Sequence, residues 1–445
     1  MSEGLLDRGA IDPFTLLPNE LVVAIASYLH NDAIQKIQAT VHNLRKHLFL
    51  EPILVLASVS RWLRNAIISE PAFWCYVNIT DPNTKLETLS TVLERSGNYP
   101  LEIVWIDRLY SRRERNLRLF EVLADHSHRW RALTLLASTI TCLSSMVEDI
   151  SATYTPMLAK FHIANLGQWT VIQGVTEMSF PVLKSFRLAN YPLSSMKIGF
   201  ASLTHMELAP SEGGRLSEKD VRSAATALTS LEYLNLDTAF DVATWEDDAT
   251  ENTDWESLRT LILKDRKFYL WRYLDSMNCP NLRRLVLLDA GWFDFPMEKM
   301  QHIMANFPEV EIMDLVQIRL QREDQGSWAL SEAFPRLSRL SFSYEPWESE
   351  GNKGYDNFFR PSSLVAGGWP NLKILELGSV ARESWLKDIV SFVESREDEG
   401  HPLTAVGIPE NEPGMEAALK DRGQVALFTC SVSTLDQYEI TPSRK

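Results

Sequence analysis

The sequence predicts an α/β chain. A short all-helical N-terminal segment precedes an irregular repeat array, with a parallel sheet inside and helices and loops outside. Three observations predict this. A six-residue apolar pattern recurs along most of the chain, and proline stands just ahead of many copies. The N-terminal residues instead carry their apolar side chains at helical spacing.

The pattern is an apolar residue, two variable residues, an apolar residue, one variable residue and a last apolar residue. It reads Leu158-x-x-Phe161-x-Ile163, Leu183-x-x-Phe186-x-Leu188, Leu203-x-x-Met206-x-Leu208 and Leu231-x-x-Leu234-x-Leu236. It continues as Leu258-x-x-Leu261-x-Leu263, Leu282-x-x-Leu285-x-Leu287, Val310-x-x-Met313-x-Leu315, Leu337-x-x-Leu340-x-Phe342 and Leu372-x-x-Leu375-x-Leu377. Weaker copies begin at Trp130, with Leu133 and Leu135, and at Leu403, with Val406 and Ile408. The last two apolar positions lie two residues apart, so they share one face of a strand. A single unit is too small to bury that face, so neighbours must stack into one sheet. Leu234, Leu261, Leu285, Leu340 and Leu375 are therefore expected in one continuous core.

Between strands, Ser217 can cap a helix on which Val221, Ala224, Ala225 and Leu228 recur at helical spacing. Pro181, Pro280, Pro308, Pro335 and Pro370 end what precedes them and set the chain extended before each strand. The array, residues 129–410, resembles the leucine-rich-repeat family. Asp237, Asp265 and Asp289 stand near where that family places asparagine, so the repeats are irregular. The resemblance implies a solenoid whose variable hexad positions line a concave surface. Arg187, Arg259, Arg283, Arg284 and Arg339 would lie on it, with Lys184 and Lys373 beside them, as a receptor stripe for an acidic or phosphorylated target protein.

At the N-terminus, Leu17-Pro18-Asn19-Glu20-Leu21 opens an amphipathic helix. Leu21, Ile25, Tyr28 and Leu29 fall at i, i+4, i+7 and i+8 along it. A second apolar helix is expected over 52–68, starting at Pro52 and carrying Leu54, Leu56, Val59 and Leu63; Pro71-Ala72-Phe73-Trp74 follows. This run, 14–80, resembles the F-box motif, with residues 31–51 inserted between its halves. The stretches 93–101 and 126–130 are similar to those of F-box proteins from mushroom-forming fungi.

The resemblance implies a non-catalytic substrate receptor of an SCF-type ubiquitin ligase. Leu17, Pro18, Leu21, Ile25, Leu29, Pro52, Leu54, Leu56, Val59, Leu63 and Trp74 would meet a Skp-type adaptor and, through it, a cullin. The rival expectation is a repeat scaffold outside any ligase, whose N-terminal helices only cap the array. The remaining segments are a tail at 1–13, a connection at 81–128, and a C-terminal cap and tail at 411–445.

Composition bounds the function. The chain has 445 residues, and 59 acidic against 44 basic residues give a net charge of −15. A dominant role on nucleic acid or an anionic membrane would need the opposite field. Cys75, Cys142, Cys279 and Cys430 are scattered, as in a reducing compartment. The most apolar stretch, 48–59, is too short to span a bilayer, and no secretory leader is visible, so a cytoplasmic or nuclear location is expected. His126 and His128 lack a third ligand at zinc spacing. There is no phosphate-binding glycine motif and no nucleophile elbow, so no metal, cofactor or catalytic residue is expected. The cluster Arg108, Arg112, Arg113, Arg115 and Arg118 reads as a solvated helix face.

Overall fold

A computed structural model of the chain describes residues 21, 23–25, 28, 51–79, 84–107, 113–167, 176–191, 196–199, 201–209, 227–238, 253–265, 274–288, 302, 303, 305–316, 334–343, 369–378, 383–409 and 426–430. The chain divides into two compact units. One is Met1–Gln168 with Phe180–Val182 and Thr441–Lys445; the other is Trp169–Ser179 with Leu183–Ile440.

In the first unit, helical residues at 21, 23–25 and 28 are followed by two short helices, α1 (Glu51–Val59) and α2 (Arg61–Ser69). The single helix expected over 52–68 breaks at Ser60. That residue is extended, and its hydroxyl accepts the Leu63 N–H at 3.1 Å, capping α2. A one-turn helix at Pro71–Trp74 follows. Strands and helices then alternate: β1 (Tyr76–Ile79), α3 (Leu86–Arg95), β2 (Leu101–Asp107), α4 (Arg113–Ala124), β3 (Trp130–Ala137), α5 (Ile140–Ser151) and β4 (Lys160–Asn165). The four strands pair in parallel, in chain order. Parallel neighbours need a crossover, and here a helix supplies each one.

Leu89, Val92 and Leu93 of α3 and Leu143, Val147 and Ile150 of α5 recur at three- and four-residue spacing and are buried. Gly97 closes α3 in the left-handed region at φ +52°, its N–H donating to the Glu94 carbonyl. Buried Arg129 ties α3 to the start of β3: its guanidinium donates to the Leu93 carbonyl, the Ser96 hydroxyl and the Tyr99 carbonyl.

In the second unit the strands are β5 (Thr176–Ser179), β6 (Ser185–Ala189), β7 (Met196–Gly199), β8 (His205–Ala209), β9 (Tyr233–Thr238), β10 (Thr253–Asp254), β11 (Thr260–Asp265) and β12 (Met277–Asn278). They continue as β13 (Arg284–Leu288), β14 (Ile312–Val316), β15 (Arg339–Ser343), β16 (Ile374–Leu377), β17 (Ala405–Pro409) and β18 (Ala426–Cys430), with helix α6 (Glu383–Asp398) between β16 and β17. Two short pairs, β5–β7 and β10–β12, stand apart. The other strands form one parallel sheet in chain order.

The hexads are in register. Phe186, Met206, Leu234, Leu261, Leu285, Met313, Leu340, Leu375 and Val406 face one another across successive strands, and all are buried. Asparagines stitch the turns between repeats: Asn281 donates to the Glu256 carbonyl, and Asn371 to the Pro335 carbonyl.

Parallel pairing within each unit departs from the expected boundaries. Strand pairing starts at Tyr76, inside the run assigned to the helical domain. The connection assigned to 81–128 supplies α3, β2 and α4. The expected C-terminal cap contributes β18, which extends the sheet beside β17. The reason lies in the template: Leu101, Ile103 and Trp105 alternate on β2, but Pro100 stands three residues before Ile103, where the other copies carry their lead residue. The helix led by Ser217 lies outside the described residues.

Candidate docking face on the N-terminal helices

Helix α1 is apolar on almost every side, so one packed face cannot cover it. Leu54 is 50%, Val55 57% and Val59 54% exposed. Ile68 on α2 is also exposed. The opposite side of α2 is buried in the unit through Leu63 and Ile67. The apolar outer surface is therefore held on a fixed platform.

Trp74 anchors that platform, its indole N–H donating to the Ile67 carbonyl at 3.0 Å. The Arg95 guanidinium from the end of α3 lies 4.6 Å from the Trp74 ring centre, a cation–π contact. Arg64 reaches back from α2, its Nε donating to the Ala57 carbonyl at 3.1 Å. These groups enclose an open cleft of about 230 Å³, with Leu54, Ala57, Ile67, Ile68 and Trp74 supplying apolar wall and Ser58, Arg64 and Arg95 the polar groups. Further N-terminal, residues 21, 23–25 and 28 are helical, and Leu21, Ile25 and Tyr28 are exposed.

Of the residues expected to meet an adaptor, Leu21, Ile25, Leu54 and Val59 thus present apolar surface, and Leu56 is half-buried. Leu63 and Trp74 are instead buried, because α2 and the one-turn helix fill the core of the unit with them; Leu63 supports the face from beneath, and Trp74 reaches it only at the wall of the cleft. Leu17, Pro18 and Leu29 lie outside the described residues, as does the side chain of Pro52. Val55, Ser58, Arg64, Ile68 and Arg95 were not anticipated. An apolar helix with no polar side was the available signal for Val55; nothing local marks Arg95, which arrives from another helix.

The expected basic stripe in the second unit comes apart. Arg187 lies opposite Glu207, at 3.4 Å. Arg284 gives two N–H groups to one Asp314 oxygen, at 2.9 and 2.6 Å, and Arg339 meets Glu376 at 2.7 Å. Each carboxylate is on the next strand, so these arginines bind the sheet together. Arg259 and Arg283 stay exposed, one residue earlier in the register, with Arg259 donating to the Asn281 carbonyl.

The face carrying those residues is also partly dry. Ile262, Val286, Leu288 and Val316 alternate with the core leucines, yet they are buried together, with Tyr233 packed against them. Strands with both faces covered read as unbroken apolar runs, as Leu261-Ile262-Leu263 and Leu285-Val286-Leu287-Leu288 do.

Cys75, Cys142 and Cys279 are shifted away from thiolate character. Burial, then the hydrogen bond to Asp107 and its charge, pushes the Cys142 thiol up to about 12. Burial likewise raises Cys75 and Cys279. Among the described residues no cluster of three metal-ligating side chains occurs, and no helix is long and apolar enough to cross a membrane. No protein-family model matches the chain, and no curated protein matches it.

Proposed function

We propose that the chain is the F-box substrate receptor of an SCF-type ubiquitin ligase. The N-terminal helices dock on a Skp-type adaptor, and the repeats, read as leucine-rich, hold a target protein for a conjugating enzyme brought by other subunits. The chain performs no chemistry; it supplies effective concentration and orientation. One observation carries the reading. The helix that leaves Leu54, Val55 and Val59 about half exposed lies within the run that resembles an F-box. Contiguous apolar surface on a soluble unit marks a contact with another protein.

The rival, a capped scaffold, draws on the burial of Leu63, Phe73 and Trp74. A cap, however, has no use for an apolar outer side. Co-expression with a Skp-type adaptor and a cullin, followed by purification on the chain, tests the proposal: both should be retained. Replacing Pro18 and Leu21 by alanine should release them and leave the circular dichroism native. Retention by that variant, or no retention by the parent, would leave the scaffold reading standing.

A further inference from the structure

Ser58 is exposed in the last turn of α1, amid the apolar residues of the docking face. Its hydroxyl makes one local hydrogen bond, donated to the Val55 carbonyl at 2.7 Å. It also lines the cleft that Arg64 and Arg95 border. Neither guanidinium has a carboxylate partner among the described residues. Arg64 is held by Nε on the Ala57 carbonyl, one residue from Ser58, which leaves its terminal nitrogens available. Arg95 lies over the Trp74 ring at the cleft wall. Two fixed guanidinium groups beside an accessible hydroxyl are an anion site with one covalent attachment point in it.

We infer that Ser58 is a phosphorylation site whose phosphate is held by Arg64 and Arg95, and that its arrival closes the docking face. The second half of this rests on the docking reading above. In the step, the Ser58 oxygen takes the γ-phosphoryl group of a nucleoside triphosphate on a protein kinase. The bond to the β-phosphate breaks, the hydroxyl proton passes to the kinase base, and the nucleoside diphosphate leaves. A phosphoserine carries about −1.5 to −2 charges and three acceptor oxygens, matched to forked arginine donors. The same charge set between Leu54, Val55 and Val59 would have to be stripped of water for any apolar partner to seat. An unmodified face docks and a modified face does not.

The test uses the full chain with phosphoserine placed at position 58 by genetic code expansion, followed by phosphorus NMR across pH. An ordinary phosphoserine titrates near pH 6, and two adjacent guanidinium groups should bring it to about 5 or below. The double variant Arg64→Ala, Arg95→Ala should return it to about 6. The same midpoint in both proteins overturns the site. Inorganic phosphate added to the unmodified chain should show no binding that depends on the two arginines; binding that did would make this a site for free phosphate and overturn the assignment to Ser58. With purified Skp-type adaptor, the phosphorylated chain should bind at least about tenfold more weakly than the unmodified one. Equal binding overturns the closing role. Failure of the unmodified chain to bind the adaptor would count against the docking reading, while the phosphate titration would still decide the site.

Discussion

Lysine at positions 55 and 59 separates docking from folding. Val55 and Val59 are each more than half exposed, so the folded chain gains less than half of what a fully buried valine contributes. At about 1.5–3 kcal/mol for full burial, each replacement forfeits about 1 kcal/mol of packing. Lysine is the better helix former by a few tenths of a kcal/mol, and its stem re-covers part of the surface. The double variant Val55→Lys, Val59→Lys should therefore lose no more than about 2 kcal/mol of stability. Docking responds very differently. A partner seated on this face must strip water from the ammonium groups, at several kcal/mol per buried ion. Even about 3 kcal/mol corresponds to roughly a hundredfold rise in Kd. The assay is calorimetric titration with purified Skp-type adaptor, beside thermal unfolding of both chains. Leu63→Lys serves as contrast: Leu63 is buried, so that change should unfold the helices. A double variant that keeps the parent Kd to within about threefold, about 0.7 kcal/mol, would refute the docking face.

Other consequences test the fold and its charges. Leu285→Ala removes a core residue flanked in register by Leu261 and Met313, and should cost about 2–5 kcal/mol in urea unfolding. A loss below about 1 kcal/mol would argue against a continuous core. Arg284→Ala strands the buried Asp314 and should cost about 1–3 kcal/mol, whereas exposed Arg283→Ala should stay within about 0.5 kcal/mol. Equal losses would mean the ion pair does no structural work. At pH 8 the Cys142 thiol, raised to about 12, is almost wholly protonated and half-buried. Peptide mapping after brief iodoacetamide treatment should find it unlabelled until the chain is denatured; fast labelling of the native chain would contradict its bond to Asp107.

The repeats were legible because their signal is local. Leu234, Leu261, Leu285, Leu340 and Leu375 each occupy the same hexad position, and stacking turns that spacing into one register. Strand β2 was missed because its alternation lacks the lead residue. Helix α1 was legible as apolar but not as separate from α2, since Ser60 breaks the run by a capping hydrogen bond that composition does not announce. The arginine stripe failed for a longer-range reason. Asp314 and Glu376 lie 30 and 37 residues beyond Arg284 and Arg339, and only the parallel register brings them together. The cleft is similar, for Arg95 meets Trp74 only because α3 returns alongside the one-turn helix.

The charge of the whole chain and the charge of the proposed docking face point in opposite directions. A net −15 acts at a distance, keeping copies apart and steering encounters. At contact range the residues that border the apolar cleft are Arg64 and Arg95, and exposed Arg61 lies on the same helix as Arg64. On the proposed reading, contact affinity would come from the apolar atoms of Leu54, Val55 and Val59, which salt does not screen, while the arginines would bias which surface is accepted. A partner with an apolar ridge and acidic flanks satisfies both groups. A basic one would be drawn in by the overall field and then refused at the face. Half-exposed valines and leucine also carry a cost in the free chain, because apolar surface left open invites self-association. Repulsion between strongly acidic copies offsets that tendency, so the excess of carboxylates and the open apolar face belong to one physical design.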